Sequence, residues 1–507
     1  MSEPTTIPTY QWPPSNEVLA ERLGLRPQDI VRFDGNTPAQ PPASARPGTV
    51  ARALADVNEY DRGRYETLRQ AIADQHGVAL EQVSLGAGSD EFIVLLTALF
   101  ASGGTVATVP SDSYSMYRYA AAMAGATMTD DVAKADVVFV CRPNNPTGEL
   151  PEIPTAIRGQ LILDEAYAQY AGIDGTCYVA EGAVVLRTFS KAYGLAGARV
   201  GYALATRETT ALIHSRQSPL SVSSLSAALA LAAIRQPLDV SAQVAERERV
   251  AAALGDLGLD PRPSWTNFLF IPMENAQSYV DRLLPYGIVL RAYQAGLRIS
   301  IRDDLDNDRL LDALRCELLG TPMPTAYQRH ERATAETRLT CRLRLAGEGR
   351  VYVNTGEGFY DHMLQQLAFH GGMDLRMEGV GDLETGDHHL VEDVFRTFGE
   401  ALDEALAKRV GLARYGESRV PMDEALAHAV VDLSGRAKAT LDISPDPGMA
   451  AHALESLAQT ARITLHVTAK GENAHHVAEA CFKAVGRAMR QALQRTGGEV
   501  ASTKGSL

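Results

Sequence analysis

The sequence predicts two domains of different fold class. An α/β domain with a parallel sheet occupies 1–319, a linker 320–330, and an α+β domain with an internal duplication 331–507. Three observations predict this. Short β-rich apolar runs, Asp136 to Cys141, Gln160 to Leu163 and Ala183 to Arg187, alternate with helical stretches, as in a sheet whose parallel strands are joined by helices. Gly320-Thr-Pro-Met-Pro-Thr325 then breaks the pattern with two prolines. Beyond it the pattern HHxxExxFxxxGxAxxxAL occurs twice, from His388 to Leu406 and from His475 to Leu493, with every fixed letter in place.

At 507 residues the chain is too long for one ordinary domain. Its formal charge of −14 argues against a nucleic-acid footprint, so an anionic substrate needs local arginines. Five cysteines, Cys141, Cys177, Cys316, Cys341 and Cys481, are scattered without a CxxC, as in a reduced cytoplasmic protein rather than a disulfide scaffold. The opening arm carries several prolines, Glu3 and Glu17 and no apolar core, unlike a signal peptide. Apolar stretches such as Leu95 to Phe100 and Ala120 to Met128 are too short to span a bilayer. A cytoplasmic protein with neither membrane nor nucleic-acid partner is expected.

The first domain carries its chemistry in four segments in chain order: Gly86-Ala-Gly-Ser-Asp-Glu91, Asn144-Asn-Pro-Thr-Gly148, Asp164-Glu-Ala-Tyr167, and Thr188-Phe-Ser-Lys-Ala192 followed by Arg199. Each falls at an expected strand end, where open α/β sheets collect ligands. Together they resemble the fold-type I aminotransferases that use pyridoxal 5'-phosphate. The resemblance makes Lys191 the amine that condenses with the cofactor aldehyde, and Asp164 the acid that keeps the pyridinium nitrogen protonated. It further implies that Asn145 and Tyr167 bond the ring oxygen and that Tyr114 stacks near the ring. The phosphate would rest on backbone N–H groups near Gly88, Ser89 and Asp90, on Ser190 and on Arg199.

Within that superfamily, Asp34-Gly-Asn36, Tyr60-Asp61, Ser113-Tyr-Ser-Met-Tyr117, Gly287-Ile-Val-Leu-Arg291 and Leu297-Arg-Ile-Ser-Ile301 resemble histidinol-phosphate aminotransferases. By this resemblance Arg298 pairs with the carboxylate of the amino donor, glutamate. Arg291 and Tyr60 meet the substrate phosphate, Tyr60 coming from the neighbouring subunit of a dimer. Arg302 stands where the family has a glycine, and is expected to disturb a tight turn.

In the second domain, strand-like segments at Arg338 to Leu345, Ala429 to Ser434 and Ile463 to Thr468 surround the two motif helices. Phe395, Phe398, Leu402 and Leu406 recur as Phe482, Val485, Met489 and Leu493, one buried stripe per helix. Residues i and i+4 share a helix face, so His388 lines up with Glu392 and His475 with Glu479. His389 and His476 point about 100° away, so adjacent imidazoles suit different metal ions. Imidazole with carboxylate suits Mn, Fe, Zn or Ni.

Nearly the whole domain resembles imidazoleglycerol-phosphate dehydratases, through Arg332-Ala-Thr-Ala-Glu-Thr337, Thr355-Gly-Glu-Gly-Phe-Tyr-Asp-His-Met-Leu364, Gly386-Asp-His-His-Leu-Val-Glu-Asp393, Pro421-Met-Asp-Glu-Ala-Leu426, Asp432-Leu-Ser-Gly-Arg436 and Ser502-Thr-Lys-Gly505. The resemblance implies that His362, His388, His389, Glu392, His452, His475, His476 and Glu479 hold two Mn ions between subunits of a trimer-based assembly. Arg414, Arg436, Ser502 and Lys504 would hold the substrate phosphate, and Glu336 is the candidate acid/base. Around His452, Ala-Ala-His-Ala-Leu replaces a Glu-His-Phe-Phe type segment, and Gly386 stands where an aspartate is usual. The two resemblances together imply a bifunctional enzyme of histidine biosynthesis. The alternatives are a dehydratase fused to another pyridoxal phosphate enzyme, an aromatic aminotransferase or phosphate-ester decarboxylase, and a chain in which one half is a non-catalytic assembly module.

Overall fold

The computed structural model describes residues 13–502 except 46, 56, 62, 64, 324–326, 382–385, 447 and 499–500, and, within its helices and strands, the side chains of all but 43, 47, 48, 51, 52 and 327. The chain divides into two compact units, Met1–Thr321 and Pro322–Leu507. Among the described residues no helix is long and apolar enough to cross a membrane.

Unit 1 is built on a seven-stranded sheet: β1 (Val83–Gly86), β2 (Thr105–Val109), β3 (Thr127–Met128), β4 (Val137–Cys141), β5 (Gln160–Asp164), β6 (Val184–Thr188) and β7 (Gly201–Leu204), in spatial order β1-β7-β6-β5-β4-β2-β3. Only β7 runs against its neighbours, and the others are parallel. Val137 to Cys141 and Val184 to Thr188 are buried throughout, the continuous apolar strand of a sheet covered on both faces. Two helices matter for the site, α1 (Ser89–Phe100) and α2 (Met116–Met123). A smaller antiparallel sheet adds β8 (Phe268–Pro272), β9 (Arg291–Tyr293) and β10 (Gly296–Ser300), in order β9-β10-β8.

Unit 2 is two copies of one fold. The first runs β11 (Tyr327–Ala333), β12 (Thr337–Arg344), β13 (Val351–Asn354), α3 (Gly358–Gly371), β14 (Asp374–Gly381), α4 (His388–Leu406). The second runs β15 (Tyr415–Met422), β16 (Ala425–Asp432), β17 (Lys438–Ser444), α5 (Ala450–Thr460), β18 (Thr464–Lys470), α6 (Ala474–Ala492). The sheets have the matching orders β11-β12-β14-β13 and β15-β16-β18-β17, and in each only the last pair is parallel. Inward residues alternate along the strands, Ala425, Ala427, Ala429 and Val431 on β16, and join one core with the motif stripes of α4 and α6. Of those stripe residues only Leu493 is half-buried rather than buried.

Strand β11 begins at Tyr327, inside the segment expected to be linker up to 330. It was hidden because ion pairs rather than apolar side chains tie it down: His330 contacts Glu400 at 2.9 Å and Glu404 at 3.0 Å, and Arg332 contacts Asp393 at 2.7 Å, all on α4. The motif glycines have a packing role. A Cβ on Gly399 would sit 2.9 Å from the Leu457 carbonyl of α5, and one on Gly486 would sit 2.4 Å from the Leu367 carbonyl of α3. Only glycine lets each motif helix approach its neighbour this closely.

Candidate active sites

In unit 1 the C-terminal ends of β1, β4, β5 and β6 deliver Gly88, Asn145, Asp164 and Lys191 to one edge of the sheet. Lys191 Nζ lies 3.4 Å from the Gly35 carbonyl and 5.6 Å from the centre of the Tyr167 ring. Burial, reinforced by the Arg298 and Arg199 guanidiniums, pulls the Lys191 amine down to about 8. Buried Asp164 accepts from the Tyr117 hydroxyl at 2.7 Å and from the Ala166 N–H at 3.2 Å. Burial nevertheless pushes its carboxyl up to about 6. Tyr117 stacks on Phe139, which fixes the donor hydroxyl. The Tyr167 hydroxyl accepts from Asn36 at 3.0 Å, and burial raises its pKa well above the ordinary phenol range.

Helix α1 starts at Ser89 with no side chain capping its first N–H groups. Gly88, at φ +82°, lies so close to Arg199 that a Cβ would be 2.5 Å from Nη2. Arg199 also pairs with Asp90 at 3.2 Å, and the Tyr114 hydroxyl donates to Asp90 at 3.1 Å. Ser190 accepts from Thr188 at 2.9 Å. Open N–H groups, a hydroxyl and a guanidinium around a glycine form a cradle of the right chemistry for a phosphate, so the residues present fit pyridoxal phosphate.

Arg298 donates to Asn145 Oδ1 and to the Asp34 carbonyl, both at 2.6 Å, and its buried Nε has no hydrogen-bond partner. Arg291 is its cross-strand partner in the β9–β10 pair, so both guanidiniums rise from one face. Such a like-charged pair is poised for an anion. Tyr60 stands apart, 80% exposed, on a surface cavity of about 440 Å³ with Ala228, Leu231 and Arg235. Arg302 corrects an expectation. No turn is disturbed, because its Nε donates to Asp306 at 2.8 Å and its Nη1 to the Arg32 carbonyl at 3.2 Å, which ties it into the start of the Asp304–Leu319 helix.

Six of the eight expected metal ligands of unit 2 come together in two triads, His388 with Glu392 and His452, and His475 with Glu479 and His362. Within each triad one ligand atom per residue lies within 4.8 Å of the others. The triads are related by the duplication: two residues come from a motif helix, and the third from the helix after the parallel strand, His362 on α3 and His452 on α5. His452 Nε2 is buried, has no hydrogen-bond partner, and lies 3.7 Å from Glu392 Oε2. An orphaned nitrogen beside an imidazole and a carboxylate fits a divalent cation.

His389 and His476 lie outside the triads. His389 Nδ1 is 3.1 Å from Glu336, and His476 Nδ1 is 3.0 Å from Glu424, a residue assigned no role from sequence. Asn36 and Tyr117 likewise acquire their partners, Tyr167 and Asp164, only in the fold. Arg414 is engaged by Asp432 at 2.7 Å and donates to the Ala501 carbonyl at 2.7 Å, which draws the segment holding Ser502 towards the end of β16. Arg436 is exposed near the same strand end, and Lys504 lies outside the described residues. The length of β16, roughly 25 Å at about 3.3 Å per residue, separates Arg414 from the turn carrying Glu424. Within one chain Arg414 and the His362–His475–Glu479 triad thus stand at opposite ends of α6, where the Arg414 N–H meets the Ala492 carbonyl.

Residues 29–314 match the family described as aminotransferase class I and II, and residues 355–489 match imidazoleglycerol-phosphate dehydratase. An imidazoleglycerol-phosphate dehydratase of Albidiferax ferrireducens is 45% identical over 204 residues, covering 37% of this chain and 100% of the relative. One of Salinibacter ruber is 50% identical over 188 residues, covering 35% and 93%. Unit 1 is similar to the crystal structure of histidinol-phosphate aminotransferase from Sinorhizobium meliloti in complex with pyridoxal-5'-phosphate. The identity is 26% and the TM-score 0.54, covering 63% of this chain and 98% of that one.

Proposed function

The chain belongs to two families, the class I and II aminotransferases through its first unit and the imidazoleglycerol-phosphate dehydratases through its second, and from that premise we propose that it performs two consecutive steps of histidine biosynthesis. Unit 2 dehydrates imidazoleglycerol phosphate to imidazole acetol phosphate. Unit 1 aminates that ketone with glutamate to histidinol phosphate. The product of one unit is the substrate of the other. The observation that carries the reading is the presence in one chain of the Lys191–Asp164 constellation and of two matched His/His/Glu triads.

When bound, pyridoxal 5'-phosphate supplies an aldehyde and an electron-accepting ring. Lys191 presents an amine that is half free base near pH 8, and Asp164, braced by Tyr117, would face the ring nitrogen with its carboxylate. Arg298 orients the carboxylate of the amino donor bidentately, while Arg291 and a partner's Tyr60 take the phosphate. In unit 2, two divalent cations, Mn by family resemblance, supply Lewis acidity towards the substrate heterocycle. The eight His and Glu ligands would hold them, with His389 and His476 reaching neighbouring copies in a trimer-based assembly. Glu336, half-exposed beside His389, moves the proton. Arg414, Arg436, Ser502 and Lys504 hold the phosphate of a site shared between copies.

The test is a single reaction: purified chain, imidazoleglycerol phosphate, Mn, pyridoxal phosphate and glutamate should yield histidinol phosphate. Accumulation of the ketone alone would refute the aminotransferase assignment, and a panel of aromatic and phosphate-ester substrates would then identify what unit 1 accepts.

A further inference from the structure

The duplication provides a second carboxylate where the sequence singled out one. In the first repeat the turn between β11 and β12 sets Glu336 Oε2 3.1 Å from Nδ1 of His389. In the second, the turn between β15 and β16 sets Glu424 Oε2 3.0 Å from Nδ1 of His476. Each histidine is the second of its His-His pair, the one outside its own triad. The two carboxylates are held differently. Glu424 Oε1 accepts the N–H of Asn473 at 2.8 Å and of Glu472 at 3.2 Å, so both of its oxygens are engaged at the start of α6. Among the described residues, Glu336 has only the His389 contact on its carboxylate.

We infer that Glu424 is a positioning residue that prepares His476 as a metal donor, an inference that rests on the proposed metal site of unit 2. An ionised carboxylate can only accept, so the Nδ1 facing it carries the hydrogen and Nε2 keeps its lone pair. With Glu424 pinned by two backbone N–H groups, the ring is fixed and Nε2 is directed away from Glu424. The Asp423 carboxylate, 3.7 Å from Nε2, is too distant for a hydrogen bond and largely exposed. The duplication thereby divides the labour between twin residues: the immobilised Glu424 orients, while the loosely held Glu336 is free to move a proton.

Glu424→Gln separates orientation from loop anchoring. The amide oxygen stays on the two N–H groups, and the amide nitrogen must then face Nδ1. As a donor it forces Nδ1 to accept and Nε2 to carry the hydrogen, which removes the metal-binding lone pair without releasing the loop. Mn binding to the full chain is measured by calorimetric titration for wild type, E424Q and His476→Ala, together with thermal unfolding. Both variants should bind about 10–100-fold more weakly, with E424Q unfolding like wild type. Weak binding by H476A with wild-type binding by E424Q overturns this inference alone. Wild-type binding by both removes His476 from the ligand set and overturns the proposed site as well. Nitrogen-15 spectra of the unsubstituted chain, recorded at a pH high enough to hold the ring neutral and with His476 assigned through H476A, give an independent readout: the tautomer protonated on Nδ1 is expected, and the one protonated on Nε2 overturns the inference.

Discussion

At the scale of single residues, unit 1 turns on an amine made acidic by its surroundings. Burial and two neighbouring guanidiniums hold Lys191 near 8, so at neutral pH its free-base fraction exceeds that of an ordinary lysine by a factor on the order of 100. The cofactor-free protein should therefore capture pyridoxal 5'-phosphate at a rate that climbs with pH through about 8 and then levels, and K191A should show no covalent cofactor absorbance. Removing one of the cations, as in R298A, should move the midpoint upward; a wild-type rate flat from pH 7 to 9 would contradict the assignment. Lys191 and Asp164 were legible in the sequence because their chemistry needs those residue types beside particular strand ends. Tyr117 and Asn36 were not, since a tyrosine or asparagine acquires its role only when folding brings it to Asp164 or Tyr167, and Asn36 crosses 131 residues to do so.

At the scale of elements, the repeated motif encodes a helix crossing as well as a ligand pair. The fixed glycine eleven residues after the first histidine is where α6 touches the α3 backbone and α4 touches α5. Those crossings bring His362 to Glu479 at 3.5 Å and His452 to Glu392 at 3.7 Å. Gly486→Ala would press a methyl group against the Leu367 carbonyl, so it should cost about 1–3 kcal/mol in chemical denaturation and weaken Mn binding at the His362–His475–Glu479 triad. Undiminished stability and metal affinity would show that the helices separate without consequence. The same symmetry explains what sequence reading left open. The segment around His452 lacks its usual aromatic neighbours, yet α5 occupies in the second repeat the place of α3 in the first, so His452 falls where His362 does. Glu424 could have been found by extending the comparison of the two repeats from the helices back to the first turn of each, where little but the carboxylate itself is shared. Strand β11 escaped notice because its anchors are charged.

At the scale of the whole molecule, each unit has its own apolar interior, one built around Phe189, Tyr202 and Val185, the other around Phe395, Phe398 and Phe482. The division was legible because prolines and a change of periodicity coincide near 320–325, where backbone hydrogen bonding is hardest to continue. Assembly was not, since periodicity reports which face of an element is buried and not which copy covers it. Arg414 lies a strand's length from the nearest turn carboxylate, and the site shared between copies that we propose would account for that separation. Separate interiors predict separate unfolding transitions. A ligand that binds only a native unit raises that unit's transition alone, by about 2.7 kcal/mol at a hundredfold excess over its dissociation constant. Calorimetry of the full chain should therefore show two transitions, one raised by pyridoxal phosphate and abolished as a cofactor response in K191A, the other raised by Mn, lowered by a chelator and lowered by G486A. By the same reasoning K191A should retain dehydration, and H475A should retain transamination of supplied ketone. A single transition answering to both ligands, or loss of both activities in either variant, would mean that the two chemistries share one cooperative fold.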